Sequence, residues 1–219
     1  MQTDGVKQAG EILKPALLLW LCYWLWFAVS NAAWVLLMPD GRATNTTYLV
    51  WTYSTQLGVI GVTCWFALRD PVARRFFVQP RPRMIEMCII LMVGGLLVLY
   101  MWVGLLGDQP GEQLMERTLE LPIAVPLVTV ALLPAVFEEL MFRGLVLDRF
   151  ARVLPLPLAI AVQAMMFAVV HLDPVFLLSH FAFGVLTGVL RMAAGALWPA
   201  VLAHLLWNAV YVLEVYEVF

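Results

Sequence analysis

"LPIAVPLVTVALLPAVFEELMFRGLVL", residues 121–147, decides how the rest of the chain is read. A bilayer core of ~30 Å is crossed by a helix of about 20 apolar residues, and this stretch is long enough. Yet it carries Glu138, Glu139 and Arg143 in its second half. An ionisable side chain at membrane depth costs on the order of a few kcal/mol unless it faces a protein interior or an aqueous cavity. The stretch therefore reads as an inner helix of a membrane bundle, with other helices needed to enclose it.

Composition supplies those helices. Of 219 residues, 63% are hydrophobic and only 13% charged, against roughly 45–50% and about 25% in a soluble domain. Apolar runs at about 15–38, 48–68, 84–106, 121–147, 157–171, 174–192 and 196–214 fill most of the chain. The expectation is an all-α polytopic membrane protein of about seven spans, or eight if short or re-entrant helices are counted. It forms a single membrane domain over 1–219, with its chemistry in a core from about 121 to 214. The first run exceeds the apolar core of a cleavable signal peptide and reads as an uncleaved span.

Basic residues orient the bundle, because Lys and Arg collect in cytoplasmic loops. Lys7, Lys14, Arg69, Arg74, Arg75, Arg81, Arg83, Arg149, Arg152 and Arg191 all fall on one side of a seven-span arrangement. The other side holds Arg42, Arg117 and the acidic connection "GDQPGEQLMERTLE". This places the N-terminus in the cytoplasm. The lipid bilayer is one partner, and nucleic acid is not expected to be another. Trp20, Trp34, Trp51, Trp102 and Trp198 lie near span ends, where aromatic belts form. Cys22, Cys64 and Cys88 fall inside apolar runs and read as small hydrophobes rather than a disulfide framework. The run beginning "LPLPLAIAVQAMMFAVVH" is short for a crossing and opens on two prolines; it is expected to form a hairpin with the next span, its "HLDP" tip at membrane depth inside protein.

Within the inner helix, about 100° per residue separates the two glutamates. Arg143 stands four residues after Glu139, on nearly the same face, a spacing that permits an ion pair and gives Glu139 a supporting role. Glu138 has no such local partner. Its face carries Pro134, Met141, Phe142 and Leu145, an apolar setting in which a carboxyl can work as a general base. The chain has three histidines, His171, His180 and His204, all after the glutamate pair. His171 follows Phe167 by four residues, so the aromatic can pack beside the imidazole. His204 precedes Asn208 by four, and an imidazole and an amide on one helix face can hold a water or donate to an oxyanion. His180 has no companion at that spacing and reads equally well as a support for the site or as a packing residue. Gly184 and Gly188, four apart, mark a close helix-packing face. No GxSxG elbow, HExxH helix, P-loop or dinucleotide fingerprint is present.

In chain order, "EELMFR" (Glu138, Glu139, Arg143), "FAVVH" (Phe167, His171) and "HLLWN" (His204, Asn208) resemble the EExxxR, FxxxH and HxxxN motifs of the CPBP family, also called Abi or CAAX-protease-like proteins. The resemblance covers about 134 to 208. It implies a glutamic-type intramembrane protease that needs no cofactor and acts on a membrane-anchored protein or peptide. Glu138 and His171 would position and activate the attacking water, while His204 and Asn208 would complete the site and hold the oxyanion. Glu139, Arg143 and Phe167 would support it. Roles known in the family include protein maturation, sorting-tail removal and bacteriocin-type processing or immunity. The compact size departs from the eukaryotic prenyl-protein enzymes, which favours a bacterial maturation or sorting role. Two other readings fit the same residues: a zinc protease with Glu138, His171 and His204 as ligands, and a non-catalytic scaffold, immunity protein or transporter that keeps its buried charges for partner binding or ion coupling.

Overall fold

The computed structural model describes residues 2–37, 45–70, 73, 76, 78–80, 82–106 and 121–218. Arg42, Arg74, Arg75, Arg81, Arg117 and the acidic connection lie outside them. The described residues are helical, with no strand among them, and group into seven helices. In chain order these are α1 (Gln2–Leu37), α2 (Asn45–Arg69), α3 (Ile85–Leu106), α4 (Ala124–Phe150), α5 (Leu156–Val170), α6 (Leu177–Ala194) and α7 (Trp198–Val215). Each follows one of the apolar runs. Five are long and apolar enough to cross a membrane; the others are α2, diluted by Thr52, Ser54, Thr55, Gln56 and Thr63, and α5, with only 15 residues. The chain is thus an integral membrane protein, and its many exposed Leu, Ile, Val and Trp side chains form the surface such a protein offers to lipid.

The core lies on α4. From Leu140 to Leu147 every residue is buried. The α5–α6 pair packs closely because its contact face is stripped of side chains: a Cβ on Gly184 would stand 2.9 Å from the Ala164 backbone, and one on Gly188 would meet Ile160 at 3.1 Å. The expected hairpin is present, but its tip is not enclosed in protein as expected, since Leu172 and Val175 are exposed. Its turn starts with Leu172 in the left-handed region (φ 54°), after which the Asp173 carboxylate accepts from the backbone N–H groups of Val175 at 3.0 Å and Phe176 at 3.1 Å. The side-chain acceptor satisfies donors that the start of α6 leaves open, and the hairpin reverses directly after His171.

α4 is not a uniform helix. Leu127–Leu132 and Leu140–Val146 are π-helical, a wider winding that concentrates at functional sites. Pro126 and Pro134 contribute, since each lacks the N–H that an α-helix requires. Neighbouring helices make up part of the deficit. Pro134 cannot donate to the Val130 carbonyl four residues before it, and the Asn208 amide of α7 does so at 2.9 Å. Gln56 of α2 donates to the Thr129 carbonyl at 2.7 Å.

Three of the tryptophans near span ends also tie helices together. Trp20 Nε1 donates to the Met166 carbonyl at 3.0 Å, Trp51 to that of Ser30 at 3.0 Å, and Trp102 to Ser179 Oγ at 3.2 Å. An indole N–H turned away from water needs an acceptor, and here neighbouring helices supply it.

Candidate active site

Glu139 and Arg143 form the expected ion pair, Nη1 to Oε1 at 2.9 Å, both fully buried. The wider i→i+5 winding after Glu139 brings the residue four positions on more nearly into line with it. The guanidinium also lies over the Phe167 ring, 4.3 Å from its centroid, a cation–π contact. The same Glu139 Oε1 accepts from His204 Nδ1 at 2.8 Å. That hydrogen bond links α7 to α4 and fixes the imidazole with Nδ1 protonated, leaving Nε2 as its second functional atom.

Glu138 points to the other side. Its Oε1 accepts from the Tyr23 hydroxyl of α1 at 2.9 Å, and its carboxyl lines a cavity of about 1070 Å³. Tyr23 is itself 2% exposed and packs edge-on to Phe142, centroids 5.6 Å apart. Sequence reasoning missed Tyr23. Its signal was a tyrosine in mid-span rather than at an interface, where the residue usually sits.

His171 stands at the C-terminal end of α5. Its Nδ1 donates to the Phe167 carbonyl at 2.9 Å, which leaves Nε2 free in the neutral ring. Phe167 packs beside it as expected, centroids 4.6 Å apart, and its ring also meets those of Phe142, His180, Phe183 and His204. The phenyl group is thus the hub on which the histidines are set. His180 stacks on His171, centroids 4.0 Å apart and 24° between planes, so it borders the site. Asn208 spends one amide hydrogen on Val130 and keeps a second.

Glu138, His171, His180, His204 and Asn208 all line the one cavity, although they come from four helices. Glu139 and Arg143 lie behind it, in the wall. Among the described residues, no three His, Cys, Asp or Glu side chains are grouped as a metal site. The alternative ligand set of Glu138, His171 and His204 shares the cavity without meeting at one point.

A helical membrane bundle with a polar, carboxylate-containing cavity at its centre is the class that fold and site define. Residues 120–210 match the family model described as type II CAAX prenyl endopeptidase Rce1-like. In that segment the chain is similar to the CPBP, or CAAX-protease-like, family, and the three motifs fall inside it. No curated protein and no solved structure matches the chain.

Proposed function

We propose that the protein is a glutamic-type intramembrane endopeptidase that cleaves a membrane-anchored protein or peptide, with maturation or sorting of bacterial membrane proteins as its role. The observation that carries this reading is the shared cavity: the Glu138 carboxyl, the His171 and His204 imidazoles and the Asn208 amide face the same space, and each is fixed from behind by a separate partner. Catalytic groups held on rigid elements before substrate arrives are what electrostatic preorganisation requires.

Glu138, held through Oε1 by Tyr23, takes a proton from water at its remaining oxygen while the hydroxide attacks the scissile carbonyl. His171 Nε2 orients that water. The oxygen that becomes negative is held by the spare Asn208 amide hydrogen and, when protonated, by His204 Nε2–H. Glu138 then returns the proton to the departing amine, and the amide becomes a carboxylic acid and an amine with no proton left over. Glu139 and Arg143 do not touch the reacting atoms; they hold His204 and close the wall behind it. In this account no metal takes part, and Glu138 supplies the base that a metal-bound water would otherwise provide.

The test is processing of membrane-anchored reporters in cells carrying wild type, Glu138→Gln or His204→Ala, with expression checked, and repeated on purified protein with a chelator. Processing lost in both variants and insensitive to chelation supports the reading. Processing unchanged in folded variants points to a scaffold or a carrier, and loss on chelation restored by zinc points to the metal reading.

A further inference from the structure

The cavity has a mouth, and the mouth lies at one end of the bundle. It is bordered by the last turns of α3, the first half of α4, the α5–α6 turn and the last turns of α7, through Tyr100, Val130, Asp173, Val175, Tyr211 and Glu214. The hydrogen bonds from Tyr100 to Glu214 and from Tyr216 to the Leu121 carbonyl tie these segments together. The opposite end is closed by the Asp70–Arg149 ion pair and by the Leu197 N–H on the Phe76 carbonyl.

Charge separates the two ends. Lys7, Lys14, Arg69, Arg83, Arg149, Arg152 and Arg191 all lie toward the closed end, at the start of α1, the junctions of α2 with α3 and of α4 with α5, and the end of α6. Asp173, Glu214 and Glu217 lie at the mouth end. Lys and Arg collect on the cytoplasmic side.

We infer that the cavity opens on the extracytoplasmic face of the membrane and is loaded from there by a peptide segment with apolar residues around the scissile bond and no anionic flank. The apolar preference follows from a wall of Val103, Phe167, Phe176, Phe183 and Trp207. The charge preference follows from Asp173 and Glu214 at the mouth and from the lack of any Lys or Arg among the described lining residues. A substrate that must bring its free C-terminal carboxylate into the cavity would meet no Lys or Arg among the described lining residues. The size fits a chain segment, since about 1070 Å³ is at the upper limit of the roughly 300–1,000 Å³ that holds a drug-sized ligand. The substrate class rests on the proteolytic reading, whereas the sidedness does not.

The experiment uses the full chain with Cys22, Cys64 and Cys88 replaced by alanine and a single cysteine introduced by Val175→Cys, Glu217→Cys or Arg152→Cys. Val175 and Glu217 are exposed at the mouth end, and the Arg152 side chain is exposed at the other. A membrane-impermeant maleimide is added to sealed right-side-out vesicles. The inference expects the cysteines at 175 and 217 to be labelled as fully as after permeabilisation, and the one at 152 only after it. The reverse pattern, or equal labelling of both ends in sealed vesicles, overturns it. A second arm compares reporters carrying Lys or Glu beside the apolar segment on its outer side. Faster cleavage of the Lys reporter, with the difference reduced by Asp173→Asn and Glu214→Gln together, is expected; equal rates overturn the charge preference. Outward labelling with no cleavage of any reporter would count against the proteolytic reading and leave the sidedness standing.

Discussion

His204 Nδ1 and Glu139 Oε1 stand 2.8 Å apart, and that same oxygen is 2.9 Å from Arg143 Nη1. One buried carboxylate thus anchors a cation on its own helix and an imidazole on another. The two jobs are separable. Removing one partner of a buried ion pair costs about 3–5 kcal/mol, whereas replacing both by apolar groups is often neutral. Glu139→Leu alone is expected to lower thermal stability in detergent strongly. Glu139→Leu with Arg143→Met is expected to regain most of that stability yet stay weakly active, because His204 has lost its anchor. Recovery of activity together with stability would show that the pair serves folding alone.

Tyr23 reaches Glu138 from α1, the helix farthest away in sequence. A hydrogen bond to a charged group is worth about 1.5–3 kcal/mol, so Tyr23→Phe is expected to slow cleavage about tenfold or more. Expression and unfolding temperature should change little. A rate equal to wild type would remove Tyr23 from the site.

The Asn208 amide on the Val130 carbonyl answers the missing N–H of Pro134. Pro134→Ala offers that carbonyl a backbone donor and loosens the hold on Asn208. The expected result is unchanged or higher stability with reduced turnover, and a non-additive combination with Asn208→Ser in a double-mutant cycle. Strict additivity would mean the two positions act independently.

Gly184 admits α5 because it has no side chain to meet the Ala164 backbone at 2.9 Å. Gly184→Leu overpacks a contact that cannot yield, at a cost of about 1–3 kcal/mol, and would displace His180 and His171 together. Loss of both stability and activity is expected, measured by thermal unfolding and reporter cleavage. A stable, active Gly184→Leu protein would show that the helices can part without harm to the site.

Leu172 holds a left-handed backbone at the hairpin tip (φ 54°). A side chain there costs roughly 1–2 kcal/mol, so Leu172→Gly is expected to raise the unfolding temperature, offset in part by glycine's larger entropy loss on folding. A fall in stability would mean that the half-exposed Leu172 side chain contributes more contact than its backbone costs.

The seven helices were legible in the sequence because apolar runs of membrane length and their basic flanks are one-dimensional signals. The Glu139–Arg143 pair was legible for the same reason, since its spacing lies within one helix. What joins separate helices was not. Nothing in the spacing of "HLLWN" tells that His204 would turn to Glu139 while Asn208 turned to Val130, and nothing near Glu138 in sequence announces Tyr23. The π-helical windings of α4 were also hidden, because they depend on how neighbouring helices satisfy the carbonyls its prolines leave free. His180, read equally as a support or a packing residue, is placed against His171 only by the α5–α6 hairpin.

The central claim is that Glu138 is the base that activates water in the cavity. Its most direct test is the cleavage rate of a transmembrane reporter by purified wild type and Glu138→Gln in liposomes, with products identified by mass and unfolding temperatures compared. The account predicts a defined pair of fragments from wild type, and a rate at least about a hundredfold lower from an equally stable Glu138→Gln, the lower end of what general-base catalysis contributes. A folded Glu138→Gln protein that makes the same fragments at the wild-type rate would contradict it.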